Sequence, residues 1–129
     1  MTIQVEFEGG CVSYEGKSTG AVPVLKCLQD NGHDISFTTG KVGEELKEAR
    51  QWFKDNDIHF ICDNLNTRYV QMVINPKDVN AHLTKGYYDT NEPFIDWITV
   101  ANILEIKGLI TREQRIECEN KIRERLIYE

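Results

Sequence analysis

The sequence predicts an α/β protein: a three-layer parallel sheet with crossover helices, followed by a C-terminal helical hairpin. Short apolar runs that alternate with polar residues are separated by helical patterns of roughly a dozen residues, which is the order of elements a parallel sheet requires. After Leu83 the pattern changes, and helical periodicity takes over. The 129 residues are one ordinary domain's worth of chain, enough to bury a core without disulfides or a structural metal. We therefore expect an α/β core over 1–83 and a helical hairpin over 84–129, packed on that core or on a partner, in a single compact unit.

Each element has a local reason. Ile3, Val5 and Phe7 alternate with polar residues and then meet Gly9-Gly10, so the first strand ends in a turn. Val22, Leu25 and Leu28 follow helical spacing, Pro23 suits a first helical turn, and Asn31-Gly32 supplies the stop. Ile35 and Phe37 alternate in a second strand that runs into Thr38-Thr39-Gly40. Leu46, Ala49 and Phe53 predict a helix over about 43–56, with Trp52 beside them and charged residues on the other face. Ile58 to Cys62 reads as the third strand, and Tyr69 to Ile74 as the fourth, stopped by Asn75-Pro76. Phe94, Ile98, Ala101 and Leu104 then predict a helix capped by Thr90 or Asn91, with Pro93 in its first turn and Gly108 at its end. Thr111 to Gln114 is a capping box that opens a last helix through about Ile127. Its apolar stripe, Cys118, Ile122 and Leu126, is narrow, so the hairpin could dock on the sheet or form a homodimer.

Composition narrows the function. The chain carries 15 Lys and Arg against 21 Asp and Glu, a net charge of −6, and neither half is basic. A broad phosphate-backbone footprint for nucleic acid is not expected. There is no apolar run of membrane-spanning length and no basic region followed by an apolar block at the N-terminus, so no membrane partner is expected and the chain reads as cytoplasmic. The four cysteines contain no C-x-x-C pair and read as reduced, core-filling thiols.

Familiar catalytic motifs fail on spacing. Gly16-Lys17-Ser18 follows the first strand, but a phosphate-binding P-loop needs four residues between its glycines; here five separate Gly10 from Gly16, and they include Glu15. His33, His59 and His82 are far apart and form no metal-ligand cluster. Ser13, Ser18 and Ser36 lack the G-x-S-x-G context of a serine hydrolase.

In a parallel sheet, ligands gather at the carboxyl ends of the strands. Those ends carry Glu6-Phe7-Glu8-Gly9-Gly10, Thr38-Thr39-Gly40-Lys41, Asp63-Asn64 and Asn75-Pro76-Lys77-Asp78. Two carboxylates spaced i and i+2 at the end of strand one, followed by glycine, resemble the first motif of the haloacid dehalogenase (HAD)-like phosphohydrolases, a strand ending in Asp-x-Asp-Gly-Thr. The helix ending in Asn-Gly-His, the strand ending in Thr38-Thr39 and the Gly-Glu-Glu-Leu helix after it continue the pattern of small capless, Rossmannoid members over residues 1 to about 80. The resemblance implies Glu6 at the nucleophile position and Glu8 at the acid/base position. It places phosphate on Gly9, Gly10, Thr39 (or Thr38, one residue earlier) and Lys41, and magnesium among Glu6, Glu8, Asn75 and Asp78.

The departures from that pattern bear on chemistry. Both family aspartates are glutamates here, the following threonine is Gly10, and the fourth motif reads Asn75-Pro76, with Asp78 displaced. The lysine of the family's third motif has no clear counterpart, although Lys41 and Arg68 lie nearby in this topology. An extra methylene moves an attacking oxygen by about an ångström, and a displacement of that order can cost ~100-fold in rate. Magnesium demands near-octahedral oxygen ligation, which Asn in place of a carboxylate weakens. The expectation is a catalytically impaired domain that binds a protein or a phosphorylated small ligand, with no cofactor or weakly bound magnesium. The alternatives are a magnesium-dependent phosphohydrolase using Glu6 and Glu8, and an interaction or inhibitor protein working through the helical hairpin.

Overall fold

The computed structural model describes residues 1–12, 16, 18–74, 83–84 and 94–128. Within them the chain forms β1 (Thr2–Glu6), α1 (Ala21–Asp30), β2 (Asp34–Thr38), α2 (Glu44–Asp55), β3 (Phe60–Asp63), β4 (Met72–Ile74), β5 (Leu83–Thr84), β6 (Phe94–Ile95), α3 (Trp97–Ile106) and α4 (Arg112–Tyr128), with a 3-10 turn at Thr67–Tyr69. Strands β1 to β4 make an all-parallel sheet in the order β3-β2-β1-β4, and β5 and β6 pair antiparallel as a separate ribbon. This is an α/β architecture compatible with a Rossmann-like layout.

Period-two alternation decides which side chains share a face. Ile3 and Val5 of β1 lie in register with Ile35 and Phe37 of β2, and with Met72 and Ile74 of β4. All six are buried, in one cluster with Val24, Leu25 and Leu28 of α1 and Ala49 and Phe53 of α2. The Phe53 ring stacks on Phe37 with centroids 4.6 Å apart. Helix α1 begins at Gly20 in the left-handed region and closes with Asn31 N–H donating to the Cys27 carbonyl at 3.0 Å.

The opposite face of the sheet carries two buried polar side chains. Gln4 is buried and donates from Nε2 to the Leu65 carbonyl at 2.9 Å; Ser36 donates from Oγ to the Cys62 carbonyl at 2.8 Å. Among the described residues this face is crossed by residues 64–71 with their 3-10 turn, not by the helical third layer the sequence predicts. Reach explains the difference. From β3 to β4 is three strand spacings, about 14 Å, and eight residues extend at most roughly 27 Å. A helix, rising only about 1.5 Å per residue, would use up that length.

The helical region also departs from expectation at its start. Phe94 belongs to β6, and α3 begins at Trp97 with Asp96 as its cap; Thr90, Asn91 and Pro93 lie outside the described residues. Asp96 Oδ1 accepts from the N–H groups of Ile98 (3.1 Å) and Thr99 (3.4 Å). The preceding residue is held extended because Ile95 N–H donates to the Gly9 carbonyl at 2.8 Å. The capping box forms reciprocally: Gln114 N–H donates to Thr111 Oγ1 at 3.1 Å, and Thr111 N–H to Gln114 Oε1 at 2.9 Å.

Helices α3 and α4 lie against the chain's own α1. Trp97, Leu104, Cys118 and Ile122 are buried in the same cluster as the sheet residues. At Gly20 a β-carbon would stand 3.1 Å from the side chain of Ile122. Asn31 Nδ2 reaches both the Leu109 carbonyl (2.9 Å) and Gln114 Oε1 (2.8 Å). Ile106 and Ile116 remain exposed. Among the described residues no helix is long and apolar enough to cross a membrane.

Candidate functional site

The loop after β1 is built around its glycines. Gly9 has φ of 82° and donates its N–H to the Val12 carbonyl at 2.6 Å, while the N–H groups of Cys11 and Val12 return to the carbonyls of Glu6 (3.3 Å) and Phe7 (3.0 Å). Gly10 is required by close approach: a β-carbon there would lie 2.1 Å from the Glu6 carbonyl oxygen. The Gly10 carbonyl accepts from Thr19 Oγ1 at 2.6 Å and from Trp97 Nε1 at 2.8 Å. Helix α3 and the segment before α1 therefore hold this loop in place.

Three sequence-predicted residues come together beside the loop. Thr39 Oγ1 donates to Glu8 Oε1 at 2.6 Å and accepts from the Lys41 N–H at 3.1 Å. Lys41 Nζ pairs with Glu45 at 2.9 Å. That hydrogen bond and charge pair hold the ammonium above its ordinary pKa, and Glu8 and Glu48 add to the effect. Thr38 is the last residue of β2; its carbonyl accepts from Phe7 N–H at 2.9 Å, and Glu6 is its register partner at the same end of the sheet. The two threonines divide accordingly, Thr38 closing the ladder and Thr39 turning its hydroxyl to Glu8. Asn75 and Asp78 lie outside the described residues. So does Lys17 of the Gly-Lys-Ser segment.

The loop and α2 enclose a cleft of about 280 Å³ lined by Phe7, Glu8, Val12, Gly16, Lys41, Glu45, Glu48, Ala49 and Trp52. The indole of Trp52 meets Phe7 edge-on at 5.8 Å, so one wall is aromatic. Among the described residues of the lining, three carboxylates accompany one ammonium. Among the described residues no group of three or more His, Cys, Asp or Glu side chains is placed to hold a metal ion.

Several site residues were not legible from motifs. Asn64 takes φ of 50°, donates its N–H to the Phe37 carbonyl at 2.8 Å, and accepts the Thr39 N–H on Oδ1 at 3.0 Å. The sequence places it at a strand end with Asp63, and an Asn directly after a strand is the residue type that tolerates this left-handed position, but nothing in the sequence points to its bond with Thr39. In the sequence Trp52 reads as a flank of the helix stripe and Glu45 and Glu48 as part of its charged opposite face, and only the approach of the β1 loop makes them a wall. Comparison with protein-family profiles, curated proteins and solved structures finds no match to this chain.

Proposed function

We propose that the chain is a binding module on a HAD-like scaffold that carries no effective phosphoryl-transfer chemistry, and that its recognition surface is the cleft between the β1 loop and α2. The observation that carries this reading is the 2.6 Å hydrogen bond from Thr39 to Glu8. The hydroxyl that the HAD resemblance assigns to phosphate is engaged by a carboxylate, and the neighbouring Thr39 amide is engaged by Asn64. A phosphate entering there would displace both and sit beside Glu8, Glu45 and Glu48. The parallel sheet, with Glu6 ending its first strand and Glu8 in the loop after it, supports the scaffold assignment.

The lining favours one of the two ligand classes. Carboxylates next to an aromatic wall suit a cation, which gains from the face of a ring as well as from the charges. The reading is therefore a protein partner that presents a basic side chain, rather than a phosphorylated small molecule, with magnesium absent or weakly held.

Trp52 provides the readout, since Trp97 is buried and a Trp52→Phe control assigns the signal. Titration with a short arginine-containing peptide should change Trp52 fluorescence, and a Glu8→Gln, Glu48→Gln double variant should weaken that response at least several-fold. Inorganic phosphate should leave it unchanged, and a generic phosphate ester should not turn over with magnesium. Magnesium-dependent turnover abolished by Glu6→Gln would instead establish the phosphohydrolase reading.

A further inference from the structure

Two of the four cysteines meet across the interface of α1 and α4. The Sγ atoms of Cys27 and Cys118 are 3.3 Å apart, although 91 residues separate them in sequence. Cys118 is buried and Cys27 is partly exposed. Both line a second cleft, of about 470 Å³, with Lys26, Asp30, Glu117 and Lys121 at its rim. The sequence reads the cysteines as reduced, core-filling thiols, and Cys11 and Cys118 are indeed buried in the core; the sequence did not show that Cys118 meets Cys27 there.

We propose that Cys27 and Cys118 form a reversible dithiol–disulfide couple that reacts with small disulfides entering this cleft and closes a covalent bridge between α1 and α4. The two sulfurs need only approach from hydrogen-bond contact to a bond of ~2.05 Å, and both side chains already point at each other across the helix pair.

The environments divide the roles. Either thiol can donate in the neutral pair, but a Cys27 thiolate accepts from Cys118, and this hydrogen bond lowers the pKa of Cys27; Lys121 acts in the same direction, while burial and the carboxylates of Glu117 and Asp30 oppose it. Cys27 is the exposed and more acidic partner, hence the attacking thiolate. It attacks one sulfur of a disulfide RSSR; the S–S bond breaks, one RS⁻ leaves, and Cys27 carries a mixed disulfide. Cys118 then gives up its proton and attacks Cys27 Sγ, expelling the second RS⁻. Two cysteine thiols are oxidised, one small disulfide is reduced to two thiols, and the two cysteine protons end on the released RSH. Excess thiol runs the sequence backwards.

The test is native-state incubation of the full chain with glutathione disulfide, an acid quench, and intact-mass and peptide-map analysis. Wild type should lose the mass of two hydrogens, retain no adduct, and yield one peptide joining Cys27 to Cys118 that dithiothreitol separates. Cys118→Ala should retain one glutathione on Cys27, and Cys27→Ala should leave Cys118 unmodified. Circular dichroism checks that both variants fold, and the wild-type map decides the matter if either does not. Wild type that keeps glutathione without the joined peptide, or thiols that react only in denaturant, would overturn the proposal.

Discussion

The indole N–H of Trp97, the first residue of α3, donates to the carbonyl of Gly10 in the β1 loop at 2.8 Å. Residues 87 positions apart are thereby tied, and the loop that forms one wall of the candidate site is fixed by the C-terminal helical region. Thr19, 3% exposed, donates to the same carbonyl from the other side.

Removing these donors singly and together should give non-additive losses. Trp97→Phe forfeits one hydrogen bond, about 1 kcal/mol, and Thr19→Val forfeits a hydroxyl shared between the Gly10 and Cys11 carbonyls at 2.6 and 3.0 Å, while the Gly10 carbonyl keeps its other donor in each. The double variant removes both, and the cost of an unsatisfied buried carbonyl, about 1–3 kcal/mol, then appears in full. Urea denaturation of the four chains measures the coupling. Additivity within about 0.5 kcal/mol would mean that the Gly10 carbonyl finds another partner.

Gly10 and Gly40 make a contrasting pair. Gly10→Ala forces a β-carbon to 2.1 Å from the Glu6 oxygen. The loop must move, at a cost of about 1–3 kcal/mol or more. Gly40 meets nothing within 4 Å and has no left-handed φ, so Gly40→Ala should be neutral or stabilising. A gain of about 0.4–1 kcal/mol is the range for reduced freedom of the unfolded chain. Thermal melts of both variants check the difference, and similar losses at the two positions would contradict it.

Asp96 is the structural start of α3. Asp96→Ala should cost about 0.5–2 kcal/mol through the lost cap, and Asp96→Asn should recover most of that because the amide oxygen still accepts from the helix N–H groups. Denaturation midpoints compare the three chains; an undiminished midpoint in Asp96→Ala would place the helix start elsewhere.

The alkylation rate of Cys27 should rise with pH around a midpoint below the ordinary thiol value of 9.0, because the hydrogen bond from Cys118 favours the thiolate. The sign follows directly: a lowered pKa leaves more of the reactive thiolate at neutral pH. In Cys118→Ala the donor is gone while burial, Glu117 and Asp30 remain, so the midpoint should move up and the neutral-pH rate should fall. Iodoacetamide rates followed by mass spectrometry provide the profile, and a midpoint that stays or drops in the variant would assign the effect to Lys121.

Most of the parallel sheet was legible because its residues obey local rules. Ile3-Val5 and Ile35-Phe37 alternate, the glycines and Asn31 mark ends, and Thr111 and Gln114 spell out their cap. What local pattern could not supply was anything set by a distant partner. Phe94 fits helical spacing with Ile98, Ala101 and Leu104, yet its neighbour Ile95 is held in an extended strand by the Gly9 carbonyl. Cys27 and Cys118 each sit on an apolar stripe, and only the docking of α4 on α1 brings their sulfurs together. In the site, Glu8, Thr39, Lys41 and Asn64 were marked by their places at strand ends, whereas Glu48 and Trp52 became neighbours of the site through the path of the chain.

Gln4 and Ser36 are direct partners in the β1–β2 ladder; Ser36 finds its carbonyl on β3 at Cys62, and Gln4 finds its own at Leu65, just after β3. This polar pair works as a checksum on strand alignment. Sliding β1 by one residue would turn Gln4 into the aromatic cluster of Phe37 and Phe53 and push Val5 to the wrong side. The amide would lose the Leu65 carbonyl, a penalty of about 1–3 kcal/mol for the unmade bond, on top of the misplaced apolar burial. During folding, misaligned encounters of β1 with β2 are thus uphill and short-lived, and the correct alignment is the one that survives long enough for residues 64–71 to close over it.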